Sequence, residues 1–491
     1  MPPFAAGLLV FFTSAAVLVL EILAGRLLAP YVGVTLETYT GIIGTVLAGI
    51  SLGTWWGGRL ADREDPRRTL GPMIALGGAL ALCTIPAIRL FGGLRLGGGP
   101  VAIVLLAFVG FFAPAAVLSA VGPTVVKLQL ADLDKTGRIV GRLSALGTAG
   151  AILGTFLTGF LLVAAFPTRP IVLGVGGTLV AVGITVSATL GRRAGGRPPA
   201  GVVALAVLAG ALGLLAPGPC QFESAYFCAR VVPDPDRPSG RTLRLDTLRH
   251  SYVDLDDPTH LEFTYAQIMG DVVATVAPDG APIDALHIGG GGFSLPRYIA
   301  ATRPGSRSRV LELDPTLVQI ARDELGLVTG PDLQVRVGDA RLALADEPAA
   351  AFDLVIGDAF GGQAVPWHLA TAEFAGEIAR RLRPGGLYAI NLIDYPPLGF
   401  ARAEAATLRA VFDHVAVIAP PERIARREGG NFVMVASDTP IDVEQIQRRN
   451  TTRGDDDVVV SAAAELDAFV DGAPVLTDDY APVDQLLNPA T

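Results

Sequence analysis

The chain has 491 residues, 51% of them hydrophobic and 17% charged, which is too long for one compact core and too apolar for an ordinary soluble protein. Its charge is split: the stretch to Cys220 carries 15 Lys+Arg against 7 Asp+Glu and the remainder 23 against 40, so the parts are net +8 and net −17. An acidic second part repels a phosphate backbone and argues against nucleic acid as a partner, while it suits cationic or neutral small molecules.

A spanning helix needs about 20 mostly apolar residues, and residues 1–217 read as a transmembrane helical domain of about seven such helices. The spans run from Ala5 to Pro30, Tyr39 to Gly58, Leu70 to Phe91, Val101 to Val125, Leu143 to Phe166, Ile171 to Leu190 and Gly201 to Leu215, the last being the shortest. Met1 to Gly7 holds no basic residue, so the first segment reads as a spanning helix and not as a cleaved leader. Gly49/Gly53/Gly57 and Gly150/Gly154 recur every four residues, which lets helices pack closely. Glu21 and Arg26 lie in or at the end of the first span, where an ionisable group hints at function; the alternative is an interfacial pair with Arg26 snorkelling to the headgroups. The run Gly57 to Arg63 looks like the loop between the second and third helices of major facilitator transporters, over a few residues only.

Basic residues gather in alternate loops: Arg59, Arg63, Arg67 and Arg68, then Lys127, Lys135, Arg138 and Arg142, then Arg192, Arg193 and Arg197. If those loops are cytoplasmic, seven crossings place everything after Leu215 outside. A ligand drawn from the cytoplasmic pool would favour the cytoplasm instead, and the side is left open at this level. Residues 218–240 form a Pro/Asp/Gly/Ser-rich linker holding Cys220 and Cys228, which are either a disulfide in an oxidising compartment or two free thiols. No cysteine spacing suggests a metal site, and none is expected.

From residue 241 to 491 strand and helix patterns alternate, as in a parallel α/β sheet preceded by a β-hairpin. The run Ala285 to Ile288 leads into Gly289-Gly290-Gly291-Gly292 and then Ser294, Leu295 and Pro296 of a helix start, a turn that lets backbone pass close beneath a nucleotide. The next strand, Val310 to Leu313, brings Glu312 and Asp314, placed for ribose hydroxyls. Leu333 to Val337 runs into Gly338-Asp339-Ala340, a carboxylate where an adenine amino group would sit, and Phe352 to Ile356 delivers Asp358. Four strand ends converge where open α/β sheets hold their ligands. His368 and Glu373 open the following helix, as pocket residues or as caps, and Arg381 to Gly386 ends it before the strand Leu387 to Asn391.

These residues resemble the spermidine synthases, polyamine aminopropyltransferases, and more closely the membrane-fused spermidine synthase-like proteins. The resemblance rests on His250-Ser-Tyr-Val-Asp-Leu-Asp-Asp-Pro-Thr-His260, Gly289 to Gly292, Leu311-Glu-Leu-Asp314, Val337-Gly-Asp-Ala340 and Phe352-Asp-Leu-Val-Ile-Gly-Asp358; the tail Leu476-Thr-Asp-Asp-Tyr-Ala-Pro-Val-Asp484 is that of the fused form. It implies a Rossmann-like transferase domain of polyamine biosynthesis. Decarboxylated S-adenosylmethionine, or S-adenosylmethionine itself, would be bound by Gly289, Gly290, Gly291, Glu312, Asp314, Asp339 and Ala340, with Asp358 and Tyr265 catalytic.

The chain departs from the family at Gly292 and Gly361, where carboxylates are usual, and at Ala266 and Gln267, where His-Glu is common. Acids to hold an amine would then have to come from Asp254, Asp256, Asp257, Asp478, Asp479 or Asp484, which otherwise read as turns and caps. The expected partners are a small amine or polyamine, the lipid bilayer and a second copy of the chain. Methyl transfer from S-adenosylmethionine, and an amine carrier or sensor with a non-catalytic nucleotide domain, are the competing readings.

Overall fold

The computed structural model describes residues 1–94, 97, 99–130, 135–196, 200–215 and 217–487. It divides into two compact units, Met1–Ala229 and Arg230–Thr491. Arg197 of the third basic loop lies outside the described residues.

Among the described residues of the first unit six helices are long and apolar enough to cross a membrane: α1 (Pro3–Val32), α2 (Leu36–Arg63), α3 (Pro66–Gly92), α4 (Pro100–Gln129), α5 (Thr136–Ala165) and α6 (Thr168–Ala194). The seventh expected span, α7 (Ala200–Leu215), has 16 residues and falls short of that length. The long helices overrun their apolar windows because their last turns carry charge: α2 continues through Arg59 and Arg63, so the Gly57 to Arg63 run is helix and not loop. The four-residue glycine spacing is used for backbone contact. A Cβ on Gly53 would sit 2.0 Å from the Ala116 carbonyl oxygen, and one on Gly150 would sit 2.1 Å from that of Phe11. Helices α2 and α5 thus lie against α4 and α1 with nothing but hydrogen at those positions.

Part of the expected linker is built structure within this unit. Strand β1 (Phe222–Glu223) pairs with the start of β2 (Cys228–Pro233), and Cys220 is disulfide-bonded to Cys228 with their Cα atoms 5.1 Å apart. The loop so closed is clasped to the helix ends. Arg26 makes a 3.2 Å ion pair with Glu223 and donates to the Ser224 and Ala225 carbonyls, while Glu223 also accepts from the Thr168 backbone N–H at 2.9 Å and from its hydroxyl. Arg26 is therefore paired and does not snorkel.

The second unit opens with the hairpin β3 (Gly240–Leu245) and β4 (Leu248–Asp254), followed by helix α8 (Thr264–Thr275). An α/β, Rossmann-like region follows in the order β5 (Asp284–Ile288), α9 (Ser294–Thr302), β6 (Arg307–Glu312), α10 (Pro315–Glu324), β7 (Leu333–Val337), α11 (Ala340–Leu344) and β8 (Phe352–Gly357). It continues through α12 (Ala372–Arg381), β9 (Leu382–Asp394), α13 (Gly399–Arg409), β10 (His414–Ala419), β11 (Gly430–Ser437) and β12 (Val458–Val460). One eight-stranded sheet results, ordered β12-β10-β11-β9-β8-β5-β6-β7. Strands β5 and β8 are buried almost throughout, as parallel strands covered on both faces must be, whereas the edge strand β7 is mostly exposed.

The register fixes what meets at the carboxyl edge. Ile288 pairs with Leu311 on one side and Gly357 on the other, and Gly357 pairs with Ile390. The residues that follow, Gly289, Glu312, Asp358 and Asn391, therefore stand side by side, and the strand order reverses between β5 and β8 at the point where such sheets open a crevice. The helix-ending run behaves as expected up to Arg381, but the backbone is strand already from Leu382.

Candidate functional site

The glycine turn after β5 is forced open. Gly289 (φ +94°) and Gly291 (φ +51°) occupy the left-handed half of backbone space, and a Cβ on Gly289 would lie 2.4 Å from the Asp358 carbonyl oxygen. Their amides face β6: Gly290 and Gly291 donate to Glu312 Oε2 at 2.8 and 3.2 Å, and the Asp314 N–H donates to Oε1 at 2.9 Å. Burial pushes the Glu312 carboxyl up and these three N–H donors pull it back. The carboxylate ties the loop to β6, and two oxygens with four lone pairs between them retain capacity for a ligand hydroxyl. Asp314, by contrast, caps α10 through the Thr316 N–H at 2.9 Å. Gly292 donates to Ser251 Oγ at 3.0 Å, and the His250 ring flanks Gly291, where burial lowers its pKa to about 4 and keeps it neutral.

Farther along the edge, Asp339 caps α11 by accepting the Leu342 N–H at 3.0 Å through Oδ1, while its Oδ2 is 3.3 Å from His368 Nε2. Ala340 begins that helix. Leu313, just past β6, leaves 45% of its surface exposed, an apolar face among these acceptors. Glycine backbone, carboxylates and an apolar face are what an adenine nucleoside needs, and the residues fit one.

Asp358 stands beyond β8, where Asn391 Nδ2 donates to Oδ1 at 2.9 Å and the Tyr265 hydroxyl to Oδ2 at 3.3 Å. Asn391 is held in turn by Asn431 Nδ2, 3.0 Å from its Oδ1. Burial raises the Asp358 pKa to about 6 against both donors, and raises that of Tyr265 further above its ordinary value, with the Asp358 charge contributing. A cavity lined by Glu262, Phe263, Tyr265, Gly289, Gly290 and Asp358 joins these groups to the glycine turn. A carboxylate with a pKa near 6 and a lone pair free can orient a nucleophile and take its proton near neutral pH.

The structure brings together Gly289, Gly290, Gly291, Glu312, Tyr265 and Asp358, and seats Asp339 and Ala340 along the same edge. The proposed acid reserve does not join them. Asp254 pairs with Arg237 and caps the turn at Asp256 and Asp257, Asp257 holds Thr259, and Asp478 pairs with Arg341. Asp256, Asp479 and Asp484 are exposed. Glu373 accepts the Asp478 N–H at 3.0 Å, a structural role. Sequence reasoning missed Asn391, Asn431 and Glu262. The rule that ligands meet strand ends pointed to Asn391, which neighbours Asp358 across the β8–β9 pair; Glu262 had no local signal. Among the described residues no group of His, Cys, Asp or Glu could hold a metal ion.

No family model matches the chain. It is 31% identical over 166 residues, 33% of its length and 53% of the relative's, to a polyamine aminopropyltransferase of Vibrio vulnificus (strain CMCP6). It is 37% identical over 142 residues to polyamine aminopropyltransferase 2 of Streptomyces coelicolor, spanning 27% of this chain and 26% of that one. The chain thus spans about half and about a quarter of the curated relatives it matches. A solved structure of a probable spermidine synthase from Corynebacterium glutamicum superposes with a TM-score of 0.48 at 30% identity, over 52% of this chain and 94% of that one. The chain is spermidine synthase-like in the part these matches cover.

Proposed function

We propose that the chain is a membrane-tethered transferase in which an amine attacks the carbon beside the sulfonium of an adenosyl donor, of the aminopropyl-transfer type named for its relatives. The observation that carries this reading is Asp358: a buried carboxylate raised to about 6, held by Asn391 and Tyr265 and lining one cavity with the glycine turn. The donor would lie along Gly289, Gly290, Gly291, Glu312, Asp339 and Ala340. The acceptor amine must lose a proton to act as nucleophile, and Asp358 would accept it as the new C–N bond forms and the C–S bond breaks. The sulfur departs as a neutral thioether and needs no acid. Glu262 lines the same cavity and, at 3.8 Å from Arg249 and 3.2 Å from His260, would serve as the second carboxylate for a cationic acceptor by exchanging those partners for the amine.

The test incubates the solubilised chain with decarboxylated S-adenosylmethionine and putrescine while methylthioadenosine is followed. Asp358→Ala is expected to lower its formation by about 10²–10⁴-fold. Turnover of the carboxylated donor instead would move the reading to methyl transfer, and turnover indifferent to Asp358 would remove its proposed role.

For the orientation we propose the outside, with α7 crossing as the seventh span and the adenosyl donor reaching that side. The disulfide-closed loop, clasped to the end of α1 and the start of α6, and the basic ends of the helices at the opposite face both support an extracytoplasmic position for Cys220 and Cys228. In sealed cells carrying Cys83→Ala, a membrane-impermeant maleimide should label this pair after reduction. Labelling that requires lysis would reverse the assignment.

A further inference from the structure

The tail Leu476 to Asp484 is sewn into the second unit beside the donor edge, and the contacts form a chain. Asp478 holds the Arg341 guanidinium with both carboxylate oxygens, at 2.8 and 2.5 Å, and accepts from Thr371 at 2.8 Å. Arg341, two residues past Asp339 on α11, also donates to the His368 carbonyl at 2.8 Å. The His368 ring, packed edge-on against Trp367 with centroids 5.7 Å apart, brings Nε2 to 3.3 Å from Asp339 Oδ2. The tail itself is anchored by Leu476, whose N–H donates to Thr407 and whose carbonyl accepts from Ala372.

We infer that His368 is a nucleobase-specificity residue and that the tail strap, acting through Asp478 and Arg341, is what positions it. This rests on the reading of Asp339 as the acceptor for the adenine amino group. With Oδ1 committed to the helix cap, Oδ2 is the oxygen left for a base, and the His368 ring, its Nε2 3.3 Å away, would donate to it as the base seats and leave one acceptor site for a 6-amino group. A 6-oxo purine presents an acceptor to that oxygen and is refused. Arg341 braces the His368 backbone through the 2.8 Å bond to its carbonyl, and through that brace the tail motif would position the donor site.

Calorimetric binding of 5′-methylthioadenosine and 5′-methylthioinosine to the full-length chain tests this. His368→Ala should weaken the adenine nucleoside about tenfold and the inosine nucleoside by no more than about twofold, and His368→Gln, whose amide can donate to Asp339, should recover most of the loss. Asp478→Asn should weaken methylthioadenosine about threefold in the native background and not at all on top of His368→Ala. Equal losses for both nucleosides, a His368→Ala variant that binds like the native chain, or an Asp478→Asn effect that persists without His368 would each overturn the inference. If the native chain binds neither nucleoside, the donor reading falls and takes this inference with it; native binding with unaltered variants leaves the donor reading standing and removes His368 alone.

Discussion

In the membrane unit Arg26 meets Glu223 and two backbone carbonyls, and Glu223 in turn caps Thr168, so each charge has more than one partner. In the α/β unit Asp358 is enclosed as well, yet its two donors are a carboxamide and a phenol, neither charged, and its pKa rises to about 6. The same physical cost, taking an ion out of water, is offset in the first case and left standing in the second. Offset charge holds helices together. Charge left standing is reactive, since a carboxylate short of partners gains by taking a proton.

The sharpest way to break this comparison is to neutralise Asp358. Asp358→Asn should lower transfer by about 10³-fold and yet make the second unit more stable at neutral pH. The sign follows from the raised pKa: the folded state holds the proton more tightly than the unfolded chain, so this stabilisation is full below about pH 4 and is lost as the pH climbs to about 6. At pH 7.5 the asparagine variant avoids that loss and should gain about 1–3 kcal/mol, a gain that vanishes below pH 4. Denaturation followed by Trp367 fluorescence at the two pH values checks it. An Asp358→Asn variant less stable than the native chain at pH 7.5 would mean that Asp358 is a structural partner like Glu223.

The reciprocal change should act on structure alone. Glu223→Ala leaves Arg26 facing only carbonyls and the Thr168 N–H without its acceptor, and should cost the membrane unit about 2–3 kcal/mol, read as a lower unfolding temperature in detergent. Transfer by the protein that remains folded should be unchanged. A loss of transfer without a loss of stability would give the clasp a functional role that its full pairing does not suggest.

How much of this was legible in the sequence depends on the range of the contact. The glycine turn, Glu312, Asp339 and Asp358 were readable because each follows a short apolar strand, and strand ends in such a sheet share one edge. The helices were readable from hydropathy, but their charged ends at Arg63 and Lys127 were not, because an apolar window stops where the helix still has backbone bonds to make. The Arg26 clasp was hidden by distance, since Arg26 and Ser224 lie 198 positions apart. Glu262 was hidden by neighbours, because only the cavity says that it shares a wall with Asp358. The acids of the tail were legible as residues but not as roles: nothing in Leu476 to Asp484 says that Asp478 is committed to Arg341.

Asn391 offers the finest test of the contrast, because it supplies part of the pairing that Asp358 does have. Its Nδ2 hydrogen bond favours the ionised carboxylate, and Asn431 keeps the amide from turning. Asn391→Ala should therefore raise the Asp358 pKa further and shift the acid limb of the kcat/KM profile to higher pH, with a loss of about tenfold at pH 7 that shrinks as the pH is raised. Asn431→Ala, one contact farther out, should move the limb in the same direction and by less, since the amide of Asn391 can then rotate but is still present. A loss that is constant at every pH would mean that Asn391 orients the acceptor directly. The shift of the limb is what separates tuning of a carboxylate from binding of a substrate.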